Sequence, residues 1–171
     1  MNKWSWKGAL ALVVVAVASA LLAWQWAARE LRACRIDEGL APVAALLQDN
    51  EKILAALAAS GYAGNEAAIL ERYLADIRQD GVPKHAATRR SIDALVDNNT
   101  VIAAVLAQRA AGLRTPELKV QADGFHEYAN NLRDRWHALF ETFMAGGHLP
   151  PAGPQRPVGL AAAVAGDIAA P

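Results

Sequence analysis

From Gly8 to Ala28 the chain reads GALALVVVAVASALLAWQWAA, 21 residues without a charged side chain. A helix of that kind has no polar face to turn to water, so it does not read as a half-buried helix of a globular domain. About 20 residues at ~1.5 Å rise make ~30 Å, the thickness of a bilayer's hydrocarbon core. Trp4 and Trp6 precede the run, and Trp24 and Trp26 close it. Indole rings favour the headgroup layer, where an apolar body meets a wet N–H. Lys3, Lys7, Arg29 and Arg32 stand just beyond or snorkel outwards. The pattern predicts one membrane-spanning helix in residues 1–28, with a tryptophan pair at each membrane interface and the lipid bilayer as the first partner.

A secretory signal peptide is the rival reading. Lys3 and Lys7 form a charged leader, and Ala18-Ser19-Ala20 has the small-residue form of a cleavage site. Against cleavage, the apolar run continues through Leu21-Leu22-Ala23 and ends in a tryptophan pair. A retained anchor is therefore the expectation. The short, acid-free N-terminus favours an N-inside orientation. The larger part of the chain would then lie in the periplasm, tethered to a bacterial-type inner membrane. The single Cys34 excludes an intramolecular disulfide framework. Leu31-Arg32-Ala33-Cys34 has the outline of a lipid-attachment signal, but an arginine interrupts it and Arg29-Glu30 separate it from the apolar run.

After residue 28 the pattern changes to that of an all-α protein. Alanine and leucine dominate, interspersed with Glu, Gln, Arg and Asp, which lose little side-chain freedom in a helix. Strand-like alternation is absent. Residues 29–41 read as a juxtamembrane linker, broken by Gly39 and Pro42. Residues 42–147 then carry four amphipathic segments. The first runs from about Pro42 to Ser60 with Val43, Leu47, Ile53/Leu54 and Leu57 on one face, and Gly61-Tyr62-Ala63-Gly64 makes a turn. Asn65 is placed to cap the second, which ends at Gly81-Val82-Pro83. The third runs from about Lys84 to Ala111, with Ile92, Asn99, Ile102 and Leu106 at three- and four-residue steps. Thr115-Pro116-Glu117 supplies a cap, a first-turn proline and an acid at the start of the fourth. That helix carries Phe125, Tyr128, Leu132 and Trp136 and stops at Gly146-Gly147. Short connections predict an antiparallel four-helix bundle in up-down-up-down order, with the aromatic fourth helix at its centre. Residues 148–171 hold five of the eight prolines and only two charges, Arg156 and Asp167, and read as a flexible Pro/Ala-rich tail.

Few residues in this chain point to chemistry. His126, Glu127, Asp134, His137 and Glu141 cluster on the fourth helix, but paired-metal bundles draw matching ligands from several helices, and no second such motif exists. No metal and no cofactor is expected. Asn99 interrupts an apolar stripe and Asn130 borders another, so the two are a candidate buried polar pair that would fix helix register or line a small polar pocket. Arg89-Arg90 and Arg133-Asp134-Arg135 read as solvated charge mixtures. A formal net charge of zero gives no basis for nucleic-acid binding. A phosphate loop, a nucleophile elbow and a triad-like set are all lacking, so the chain does not read as an enzyme.

The leading expectation is a structural or interaction component, an adaptor or assembly protein of the cell envelope. It would contact another envelope protein or a second copy of itself, helped by the small-residue spacing of Ala16 and Ala20 in the anchor. The alternative is a small-ligand-sensing module. The anchor-plus-bundle layout resembles the extracytoplasmic four-helix sensor of bacterial chemoreceptors, which implies an architecture and transfers no residue or activity. A phage spanin also pairs an anchor with a helical ectodomain, but its extended coiled coil does not suit the short connections here.

Overall fold

The computed structural model describes residues 39–170. The expected membrane span, with Trp4, Trp6, Trp24 and Trp26, and also Cys34, lies outside the described residues. Among the described residues the chain is all-helical, without strands, and no helix is long and apolar enough to cross a membrane. Helix α1 covers residues 39–59, α2 Glu66–Asp80, α3 Ala86–Arg109, α4 Pro116–Ala145 and α5 Leu160–Ala169. Short 3-10 turns, Val82–His85 and Ala110–Gly112, lead into and out of α3.

Local sequence explains most of the boundaries. The Asn65 side chain accepts the Ala68 N–H and caps α2. Gly81, at φ 85°, ends it. Helix α4 begins with Pro116 at its first turn and ends at Gly146, which is left-handed at φ 67°. There Gly146 N–H donates to Phe143 and Gly147 N–H to Thr142, the paired bonds that satisfy the last carbonyls of a helix. The start of α1 departs from expectation. Helix is already present at Gly39 and runs through Pro42, so residues 39–41 belong to the bundle and not to a linker. A Cβ on Gly39 would run into the Arg109 guanidinium, so the missing side chain is what lets α1 lie close to the end of α3.

The apolar stripes face inward as their spacing predicts, with Ile53 and Leu54 of α1 only half-buried at the margin. Val43, Leu47 and Leu57 of α1, Ile69 to Ile77 of α2, Ile92 to Leu106 of α3, and Leu118 to Leu139 of α4 supply the buried core. Helix α4 is central: it packs most extensively on α3 and also meets α2 and α5.

The order of helix directions differs from up-down-up-down. Asn50 meets Asn99, and Gly39 lies against Arg109, so α1 runs antiparallel to α3. Asp93 meets Trp136 and Asn99 meets Tyr128, so α3 runs antiparallel to α4. Glu71 meets Arg135 and Arg78 meets Thr142, residues that advance together, so α2 runs parallel to α4. It follows that α1 and α2 point the same way. The link between them does not reverse the chain at a tight turn. Tyr62 is buried against the bundle with its hydroxyl 3.0 Å from His85 Nδ1, and the chain then returns to start α2 beside the middle of α1. Burying the Tyr62 ring holds this return path in place.

Residues 148–170 are not the flexible tail that their composition suggests. The Pro-rich stretch crosses the bundle, and α5 packs on α4 with Leu160, Val164 and Asp167 buried. These three residues are spaced by four and three, one face of a helix. Asp167 Oδ1 accepts the backbone N–H of Arg114 at 2.7 Å and of Thr115 at 2.6 Å, and the Thr115 hydroxyl at 3.0 Å. Thr115 occupies the expected cap position, but its side chain does not cap its own helix.

Candidate functional site

A polar network crosses the middle of the apolar core. Asn99 is fully buried in the stripe of α3. Asn50 Nδ2 donates to Asn99 Oδ1 at 2.8 Å, and Asn98 Nδ2 donates to Asn50 Oδ1 at 2.9 Å. Asn99 Nδ2 in turn donates to the Tyr128 hydroxyl at 3.3 Å. Asn99 thus lies where its place in the stripe predicts, but its partners are Asn50 and Tyr128 and not Asn130. Asn130 is half-buried and stands outside the network, because it borders the α4 stripe while Tyr128 lies within it. The adjacent Asn131 serves the C-terminal stretch instead. Its Oδ1 accepts the Gly153 N–H at 2.9 Å and pins that stretch to α4.

The network ends at Glu66, the first residue of α2, where a carboxylate complements the positive end of the helix dipole. Glu66 is 7% exposed. Burial pushes the Tyr128 hydroxyl well above the usual tyrosine range, and the Glu66 charge beside it adds to the rise. The hydroxyl therefore stays protonated and keeps its donor. Arg156 reaches in from the Pro-rich stretch. Its Nη2 donates to Glu51 Oε1 at 2.7 Å, and its Nε lies 3.9 Å from Glu66 Oε1, an ion pair without a hydrogen bond. Burial works against the Arg156 charge, but Glu51 and Glu66 outweigh it and raise its pKa.

Two clefts meet at these residues. One, of 280 Å³, lies among Glu66, Tyr128, Asn131, Arg135, Gly153 and Arg156. The other, of 360 Å³, shares Asn65, Glu66, Gln155 and Arg156 and extends to Leu47 and Leu54 of α1. Two residues that line the smaller cleft each hold a buried atom without a hydrogen-bond partner, the acceptor Glu66 Oε1 and the donor Arg135 Nε. Arg135 is itself buried and uses Nη2 to hold Glu71 Oε1 at 2.6 Å. An unpaired buried polar atom costs about 1–3 kcal/mol, and Tyr73, His85, Gln121 and Asp167 carry others elsewhere among the described residues.

The remaining sequence candidates fall elsewhere. His126, Glu127, Asp134, His137 and Glu141 are all exposed, and the described residues contain no cluster of three groups able to hold a metal ion. Arg89 lies over the Phe140 ring at 4.6 Å, a cation–π contact that the reading of Arg89-Arg90 as a solvated pair did not foresee. Arg135, read as part of a solvated charge run, is instead buried because it lies on the α4 face that meets α2, where it holds Glu71. Glu66 and Arg156 were likewise missed as site residues. A first-turn acid reads as a dipole complement and nothing more. Arg156, the lone charge between Glu141 and Asp167 apart from His148, was the one available signal.

No protein-family model matches the chain, and neither the curated proteins nor the solved structures include a match to it.

Proposed function

We propose that this chain is a membrane-held helical-bundle binding protein and that the bundle recognises a small polar molecule. The observation that carries the reading is Glu66: a buried carboxylate with one oxygen that lacks a hydrogen-bond partner, on a residue lining a 280 Å³ cleft. Ligand sites are concave, with a few convergent polar groups, and this cleft has that character on a small scale. The membrane part rests on the uncharged Gly8–Ala28 run between paired tryptophans, with the bundle on the periplasmic side of a bacterial-type inner membrane. A thermal-shift screen of polar metabolites on the purified full chain in detergent tests the binding reading. A saturable rise in melting temperature is expected, and a screen without any shift overturns it. Carbonate extraction of membranes tests the anchor: the chain should stay in the pellet.

The adaptor or assembly reading, in which the partner is another envelope protein or a second copy, draws on a different feature. Leu106, Ala107, Ala110, Leu113 and Ala122 line an open groove between the end of α3 and the start of α4. Crosslinking in intact membranes should then capture one dominant protein, and no ligand should shift the melting temperature.

A further inference from the structure

We propose that the cleft beneath residues 152–156 is a site for a small organic ammonium that also carries an oxygen acceptor, such as an amino alcohol or an amino amide. This rests on the small-molecule reading and names the ligand's chemistry. Glu66, Arg135 and Arg156 line the cleft, and Glu51 and Glu71 stand outside it as the partners of the two arginines. Arg156 is committed by hydrogen bond to Glu51, and Arg135 to Glu71. Glu66 is the acid left over, with the Arg156 Nε at 3.9 Å and the neutral Tyr128 hydroxyl beside it. One negative charge is therefore in excess, and a cation is the ligand that balances it.

The orphaned atoms specify the rest. Glu66 Oε1 needs a donor, and a primary ammonium brings three. Arg135 Nε needs an acceptor on the same ligand, which a hydroxyl or carbonyl oxygen supplies. A quaternary ammonium has no N–H to give, and a simple carboxylate meets the uncompensated charge of Glu66. A volume of 280 Å³ suits a metabolite-sized molecule and not a drug-sized one. Residues 152–156 form the cover over the cleft. It is tied to α4 by the Gly153 N–H to Asn131 bond and to α1 and α2 through Arg156. Pro150, Pro151, Pro154 and Pro157 have no N–H with which to tie it further. Lifting it gives entry to two atoms that are otherwise out of reach of solvent.

The test is isothermal titration of the full chain in detergent with ethanolamine and glycinamide, with tetramethylammonium and acetate as controls. At least one of the two amines should bind saturably, and the controls should not. Glu66→Gln should weaken amine binding at least tenfold. Ala67→Met, which fills the cleft and leaves every charge in place, should do the same with an unchanged circular dichroism spectrum, and it decides the matter if Glu66→Gln fails to fold. Absence of binding by both amines overturns the proposal. So does amine binding that survives in folded Ala67→Met, or acetate binding as tightly as the amines. A different ligand found in the wider screen, with affinity untouched by Glu66→Gln, would leave the small-molecule reading standing and remove this site.

Discussion

Asp167 Oδ1 stands 2.6 Å from the Thr115 backbone nitrogen and accepts its N–H, so a residue of α5 terminates the open start of α4. The same oxygen takes the Arg114 N–H and the Thr115 hydroxyl. A helix start leaves N–H groups without partners and carries a partial positive charge, and a carboxylate answers both needs. Asp167→Ala should lower unfolding free energy by about 1–3 kcal/mol, the range for losing a cap and stranding buried donors. Asp167→Asn should lose less. Urea titration of the three proteins checks the order.

Asn99→Leu should destabilise the chain by about 1–3 kcal/mol, because it strands the amide of Asn50 and removes a donor from Tyr128. A double-mutant cycle with Asn50→Leu should show strong coupling, with the pair less costly than the two singles added. A cycle of Asn99→Leu with Asn130→Leu should be additive. Denaturation curves for the five variants separate these outcomes.

Trp136→Phe should cost about 1–2 kcal/mol. The indole N–H donates to Asp93 Oδ1 at 2.8 Å, and the ring packs against Tyr73 and Phe140. Phenylalanine keeps much of the packing and loses the hydrogen bond. Trp136→Ala should cost about 3–5 kcal/mol by leaving a cavity between α3 and α4. Equal losses for the two variants would remove the hydrogen bond from the account.

Stability should fall as pH rises above about 10. All three tyrosines, Tyr62, Tyr73 and Tyr128, are held above the usual range, with burial the largest cause in each. The folded chain therefore keeps protons that the unfolded chain releases near pH ~10. Stability from this source is complete below that value and declines above it, by about 1.4 kcal/mol per pH unit for each tyrosine that stays protonated. Phenolate absorbance and helical circular dichroism should therefore change together in an alkaline titration. Phenolate signal that develops while the helix signal is intact would contradict it.

The helices were legible because their signals are local. Caps, glycine stops and stripes at three- and four-residue steps depend on neighbours in sequence, and Asn65, Gly81, Pro116 and Gly146 all mark the ends they announce. The direction of α2 was not legible. A link of six residues between α1 and α2 suits either a hairpin or a return path, and only the burial of Tyr62 decides. The C-terminal stretch misled through composition. Its prolines and alanines read as disorder, while Leu160, Val164 and Asp167 were already spaced to share a helix face. Asn99 announced itself as a polar residue in an apolar stripe. Its partner Asn50 did not, because it sits among other polar residues of α1.

A ribosome makes this chain in one direction, and α4 depends on a carboxylate encoded 52 positions after the amide that it serves. Synthesis adds about 5–20 residues per second, so the first four helices wait roughly one to four seconds at those rates before Asp167 follows. During that interval Glu66 and Tyr128 lack their cover, and the start of α4 is open to other acceptors. The nascent bundle is thus a different object from the finished one, and a chaperone that shields its exposed seam would have only that window in which to act.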